Sequence, residues 1–312
     1  MSSFSHYPVL FEEVMEGLSV LPDGVYVDCT AGGGGHSSGI ACRLSEKGRL
    51  IAIDRDAEAI SAAKDRLRPY SDRVFLFHSN FSSVRSVIGS LNIEGINGAL
   101  IDLGVSSYQL DTASRGFSYM QNAPLDMRMD KDSSLSAYDV VNSYDEAKIR
   151  KVLFEYGEES FAPKIASAIV KSRSEKPIET TFELVDVIKK ALPAKALNGG
   201  HHPAKKSFQA IRIEVNGELD VIAPTLEELV GMLKKGGRLA VITFHSLEDR
   251  IVKKTFATLC AGCICPPDFP VCVCGRKPVV RLVNKKPILP SARELEENPR
   301  SRSAKLRIVE KL

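Results

Sequence analysis

The chain has 312 residues, 44% hydrophobic and 26% charged, and carries a formal net charge of +3. That is enough apolar content to bury one large core or two smaller ones, and it describes an ordinary soluble globular protein. Met1 to Leu21 holds Glu12, Glu13 and Glu16 and lacks both a basic start and a long apolar run. It therefore reads as neither a signal peptide nor a membrane span, and a cytoplasmic location is the expectation.

In the N-terminal third, short apolar runs alternate with helical patterns, the signature of successive βα units in a parallel sheet. Strands are predicted at Val25 to Asp28, Arg49 to Asp54, Val74 to His78 and Gly98 to Leu103. Helical patterns fill the gaps at Ile40 to Leu44, Ala57 to Leu67 and Ser82 to Leu91. Four strands in this rhythm define an α/β fold. The next convincing strand, Arg238 to Phe244, begins 136 positions after Asp102, far more than one crossover needs. A helical insert, residues 108–206, fills the gap, with helical periodicity at Ala147 to Phe154, Phe161 to Lys171 and Thr181 to Ala191. Thr225 to Leu233 reads as an amphipathic helix stopped by Lys234 to Gly237. Val279 to Val283 and Lys305 to Val309 are β-rich runs that can close the sheet as a hairpin-like pair, and no internal repeat or low-complexity tract is present. Residues 1–107 and 207–312 thus form the two parts of one domain around the insert.

The first strand runs into Asp28-Cys-Thr-Ala-Gly-Gly-Gly-Gly-His36, where consecutive glycines allow a tight turn and a close backbone approach to a ligand. Asp54 ends the second strand 21 positions after Gly33, the separation at which a carboxylate in a Rossmann-like fold reaches a ribose. The dinucleotide fingerprint fails, because frames opening on Gly32 or Gly33 place Ser37 or Ser38 where the third glycine belongs. Asp28 also suits a cationic ligand such as S-adenosylmethionine better than a pyrophosphate. Phe81, after the third strand, is placed to pack on an adenine or in the core. Asp102, ending the fourth, faces the region where methyl donor and acceptor meet, or serves as a turn residue.

From Arg276 to Leu312 there are 11 Lys and Arg against 4 Glu, leaving 31 basic and 35 acidic residues elsewhere. Such a basic end reads as a partner for nucleic-acid phosphates or as a solvated tail.

Long motifs resemble those of one family, the bacterial small-subunit (16S) ribosomal RNA cytosine-N4 methyltransferases, known as RsmH or MraW. They are HYPVLFEEV (from His6), DLGVSSYQLD (from Asp102), RGFSYM (from Arg115), PLDMRMD (from Pro124), FQAIRIEVNGEL (from Phe208), FHSLEDRIVK (from Phe244) and NPRSRSAKLR (from Asn298). The resemblance implies a class I methyltransferase fold, a Rossmann-like doubly wound sheet with an inserted helical subdomain devoted to RNA recognition. It implies methylation of a cytidine in the decoding region, with the ribosomal RNA or the small subunit as partner, no membrane, and a homodimer left open. A methyltransferase for another nucleic-acid base and an RNA-binding ribosome assembly factor are the alternatives. Carried over by position, the S-adenosylmethionine contacts fall on Gly34, Gly35, His36, Asp54, Phe81, Asp102 and Gln109. Many amino-methyltransferases place an Asp/Asn-Pro-Pro-aromatic loop after the fourth strand, where this chain has Asp-Leu-Gly-Val-Ser-Ser. Asp102 is taken as the catalytic acceptor, followed by His245, Ser246 and Asn216, while Asp126 and Arg128 orient the insert or form an internal ion pair.

Five of the seven cysteines crowd between Cys260 and Cys274. In a cytoplasmic chain this spacing leaves zinc on Cys263, Cys265, Cys272 and Cys274, or reduced thiols, as the two readings.

Overall fold

The computed structural model describes residues 7–197, 200, 202–262, 265, 269, 271 and 273–312. The chain divides into two compact units, one formed by Met1–Gly104 with Leu219–Leu312 and the other by Val105–Glu218.

The first unit opens with α1 (Phe11–Leu18), β1 (Val25–Asp28), α2 (Gly35–Ala41), β2 (Arg49–Asp54), α3 (Ala57–Leu67), β3 (Val74–His78), α4 (Val84–Ser90) and β4 (Ile96–Asp102). The second unit supplies α5 (Ser107–Asp111), α6 (Ala137–Ser143), α7 (Glu146–Gly157), α8 (Ala162–Arg173), α9 (Thr181–Ala191), α10 (Ala194–Leu197) and α11 (Lys205–Asn216). The chain then returns to the first unit as α12 (Ile222–Met232), β5 (Leu233–Thr243), α13 (Ser246–Cys260), β6 (Val280–Leu282), α14 (Ala292–Glu297) and β7 (Lys305–Lys311).

The seven strands form one sheet in the order β3-β2-β1-β4-β5-β7-β6. β1 to β5 run parallel, and β7 is antiparallel to both β5 and β6. Alternation along the strands sends side chains to two faces, each covered by helices. Val27, Ile51, Ile53, Ile101 and Val241 meet α4, α12 and α13, while Tyr26, Leu50, Leu100, Ile242 and Ile308 meet α1, α2 and α3. This is the expected doubly wound sheet. The two C-terminal β runs do pair, but β7 also pairs β5, so it lies inside the sheet and β6 forms the edge.

Several boundaries differ from the periodicity. Lys234 to Gly237 is not a helix stop, because α12 ends at Met232 and these residues lie within β5. Leu233 pairs with Ile96 and Arg238 with Gly98, so the intervening chain bulges out, with Gly236 at φ 78° taking up the turn. The predicted 82–91 helix splits into a 3₁₀ turn at Phe81–Ser83 followed by α4. α2 begins at Gly35, earlier than the apolar pattern suggested.

In the second unit, Ile149, Leu153, Ile165, Ile169, Leu184, Ile188, Phe208 and Ile211 form a helical core. Because α11 contributes Phe208, Ala210, Ile211 and Val215 to that core, this unit extends to Glu218, beyond the Lys206 boundary set from sequence. No helix among the described residues is long and apolar enough to cross a membrane.

Candidate functional site

In a parallel sheet every strand delivers its carboxyl end to the same edge, and here β1, β2 and β4 each end in an aspartate. Asp28 is fully buried. Its Oδ1 accepts the Thr30 N–H (3.1 Å) and its Oδ2 the Ser37 hydroxyl (2.6 Å), so the carboxylate ties the start of the turn to the first turn of α2. Asp54 anchors the turn from β2, its Oδ2 accepting the Gly32 N–H (2.8 Å) and its Oδ1 the Asp56 N–H (2.9 Å). Each carboxylate oxygen keeps a further lone pair for a ligand hydroxyl.

Gly32 and Gly34 sit at φ 50° and 77°, where a side chain is strained. A Cβ on Gly34 would lie 3.2 Å from the Ala63 Cα, and one on Gly35 would lie 2.5 Å from Pro8 Cγ. Close packing against α3 and the N-terminal segment thus accounts for these two glycines, and it leaves the turn thin at the strand ends.

Asp102 is linked to the same turn through its N–H, which donates to Thr30 Oγ1 (2.6 Å). Its Oδ1 is buried with no hydrogen-bond partner among the described residues, while Oδ2 lies 3.9 Å from His36 Nε2. His36 is itself buried, lies parallel to the Phe11 ring at 6.0 Å between centroids, and, apart from a backbone contact with Val9, has no hydrogen-bond partner for its ring nitrogens among the described residues. Buried polar atoms are nearly always satisfied, so three orphans beside one another mark a surface shaped for a ligand.

The electrostatics are one-sided. Burial pushes the Asp28 carboxyl up to about 6, with the Asp54 charge adding to the effect. Burial raises Asp54 likewise. Asp102 is held well above the usual carboxylate range by burial and then by the charges of Asp28 and Glu248. His36 is pushed down to about 4 by burial and is neutral at physiological pH. The edge thus gathers three carboxylates whose charge the nearby Arg55 offsets only in part, an arrangement that favours a positively charged ligand.

Other residues singled out from sequence take different places. Phe81 begins the turn after β3, half-buried against the core of one sheet face, so the packing reading applies to at least part of its ring. Gln109 belongs to the second unit, where its Oε1 accepts the Ser106 N–H (3.1 Å) in the capping box of α5. Asn216, also in the second unit, donates to the Met127 carbonyl (2.7 Å) and accepts the Met129 N–H (2.8 Å), a role in holding that loop. Asp126 and Arg128 form a two-pronged ion pair at 3.0 and 2.8 Å, and Arg128 also binds the carbonyls of Lys131 and Ser133, which supports the internal-pair reading. His245 is the N-cap of α13 and lies 3.0 Å from Glu248 Oε1 through Nε2, with Ser246 the first residue of that helix. Of the four cysteines considered for zinc, Cys263 and Cys272 lie outside the described residues, and Cys265 and Cys274 form no disulfide among the described residues.

Thr30, Ser37 and Glu248 escaped sequence reasoning. Thr30 and Ser37 flank the glycine run and support it by side-chain hydrogen bonds. Glu248 is buried and accepts the N–H groups of Phe244 (2.7 Å) and His245 (3.2 Å). Its signal was present in His245-Ser-Leu-Glu248, a capping-box spacing with histidine in the capping position.

The Asp28 shift carries a stability consequence. Between pH 3.8 and about 6 the folded chain holds a proton that the unfolded chain has released, so stability present at low pH is lost as pH rises through about 6. The loss amounts to about 3 kcal/mol at most. Asp28→Asn keeps an acceptor for Thr30 and a donor for Ser37. In urea unfolding it should therefore be more stable than the parent at pH 7.5 by up to that amount, and equal to it near pH 3.5.

Comparison with known proteins gives the arrangement its family. The model of the MraW methylase family matches residues 3–312. A relative from Clostridium botulinum (strain Kyoto / Type A2), named Ribosomal RNA small subunit methyltransferase H, is 57% identical over 309 residues, covering 99% of each chain. A relative of the same name from Clostridioides difficile (strain 630) is 55% identical over 309 residues, again 99% of each. Among solved structures, an rRNA methylase from Streptococcus thermophilus aligns over 99% of each chain at 12% identity and a TM-score of 0.45, too distant to add to the assignment. The chain belongs to the MraW methylase family and is an S-adenosylmethionine-dependent methyltransferase.

Proposed function

We propose that this enzyme methylates the exocyclic N4 of a cytidine in the decoding region of small-subunit ribosomal RNA, in the cytoplasm. The observation that carries the reading is the cluster at the carboxyl edge of β1, β2 and β4, where buried carboxylates meet the unpartnered atoms of His36 and Asp102. The name shared by the relatives from C. botulinum and C. difficile supports the RNA substrate. The long motifs shared with cytosine-N4 methyltransferases support the base and the atom.

The residues present fit the cofactor, since the orphaned atoms of His36 and Asp102 need polar partners and the carboxylates need a cation. When bound, S-adenosylmethionine supplies an electrophilic methyl group on a positively charged sulfur. Asp54 would hold the ribose hydroxyls, the backbone at Gly34 and Gly35 the methionine portion, and Phe81 the adenine. His36, neutral, is free to donate from one ring nitrogen and accept at the other. Gln109 is the further cofactor contact carried over from the family resemblance, and the second unit has RNA recognition as its role.

The N4 lone pair is delocalised into the pyrimidine, so alignment and water exclusion contribute more than a strong base. As N4 gains a methyl group it must lose a proton. Asp102 Oδ1, unpartnered among the described residues, accepts it when the carboxyl is ionised, the form that burial disfavours and a neighbouring positive charge favours. The charges of Asp28 and Asp54 attract the cofactor's sulfonium more than the neutral thioether product, which favours product release.

Two measurements test this reading. Incubated with labelled S-adenosylmethionine and small ribosomal subunits, free RNA or DNA, the enzyme should yield N4-methylcytidine after digestion. Label on another base overturns the cytosine assignment, and no label on any substrate overturns the catalytic one in favour of an assembly factor. In calorimetry, Asp54→Ala should weaken S-adenosylmethionine binding by about 1 to 3 kcal/mol through loss of charge-assisted hydrogen bonds. Unchanged affinity would remove Asp54 from the ribose.

A further inference from the structure

We infer that the outer edge of the sheet around β6 is a phosphate-binding surface for RNA, an inference that rests on the RNA substrate proposed above. Among the described residues β6 is the last strand of the sheet and pairs only with β7. From Arg276 to Lys286 the chain carries five cations and no carboxylate. Arg281 is already balanced, since Glu310 Oε1 lies 2.6 Å from its Nη2. Glu310 is further engaged by Arg238 at 3.0 Å. The other four, Arg276, Lys277, Lys285 and Lys286, are exposed, and their side chains make no hydrogen bond or ion pair among the described residues.

The backbone that presents the lysine pair is fixed. Asn284 donates to the carbonyls of Lys286 (2.8 Å) and Leu306 (3.0 Å) and accepts the Ile308 N–H (2.8 Å). Two hydrogen bonds of 2.9 Å between Ile288 and Leu306 close the other side. A ligand engaging Lys285 and Lys286 therefore orders side chains but little backbone. Lys277 and Lys285 are eight residues apart, so the two cationic pairs are separated by at most about 29 Å, a reach that covers several phosphates of a nucleic-acid strand.

A solvated segment ordinarily intersperses both signs of charge, whereas Arg276 to Lys286 holds a single sign on a chain whose first 275 residues carry 31 basic against 35 acidic groups. The attraction for a polyanion is thus concentrated here. No Phe, Trp or Tyr occurs between Arg276 and Leu312, so the surface offers no platform for stacked bases. Contacts of this kind position RNA by its phosphates and carry no sequence information.

The test combines Arg276→Ala, Lys277→Ala, Lys285→Ala and Lys286→Ala in the full chain and follows binding of a labelled small-subunit ribosomal RNA fragment by anisotropy across salt concentrations. The expected result is affinity weakened at least tenfold at low salt, a slope of log affinity against log salt shallower by about 3, and unchanged S-adenosylmethionine affinity. Lys285→Arg with Lys286→Arg, which keeps the charges, should retain the parental slope. An unchanged slope and affinity in the quadruple variant overturns the inference. So does parental binding to phosphatidylglycerol vesicles that the quadruple variant loses while its RNA affinity holds. If RNA affinity falls in a chain that methylates no cytidine, the surface stands and the proposed activity fails. If cytidine is methylated with RNA affinity unaltered, the activity stands and the surface fails.

Discussion

The parallel sheet imposes one constraint from which the rest follows: the carboxyl ends of its strands meet at one edge, and three of those ends are aspartates. Burial, with their mutual repulsion adding to it, is visible in Asp28, pushed up to about 6, and in Asp102, raised well above the usual carboxylate range. N–H donors from Thr30, Gly32 and Asp56 and the Ser37 hydroxyl offset part of the cost. What remains uncompensated is the capacity to attract a cation. Stability is sacrificed at the site where function needs unbalanced charge.

The glycine turn owes its form to the same constraint. Left-handed residues at Gly32 and Gly34 fold the chain back between the strand ends, and tight packing of Gly34 on α3 and Gly35 on Pro8 leaves no room for side chains. At the other side of the sheet, β7 is held between β5 and β6, with Glu310 joining Arg238 of β5 to Arg281 of β6. That placement makes β6 the edge strand and leaves the cations around it in solvent.

The strand and helix pattern of the first unit was legible because parallel strands buried on both faces read as short apolar runs; β1, β2, α3 and β3 match the sequence reading residue for residue. The bulge at Lys234 to Gly237 was not legible, since a lysine-glycine run signals a helix stop as readily as an irregular strand. Asp54 and Asp102 could be placed by their positions at strand ends. The hydrogen bonds from Thr30 and Ser37 join residues by tertiary geometry, which periodicity does not encode. The same holds for α11, whose apolar residues gave no sign of which core they would enter, so the helical unit was drawn short of Glu218.

The central claim, that buried carboxylates select a positively charged sulfur, is tested most directly by measuring the affinities of S-adenosylmethionine and S-adenosylhomocysteine by calorimetry from pH 5 to pH 8. The two ligands share every group except the charged methylsulfonium. With Asp28 titrating near 6, the affinity for S-adenosylmethionine should fall on acidification through that region by more than the affinity for S-adenosylhomocysteine. Parallel pH profiles for the two ligands would contradict the account.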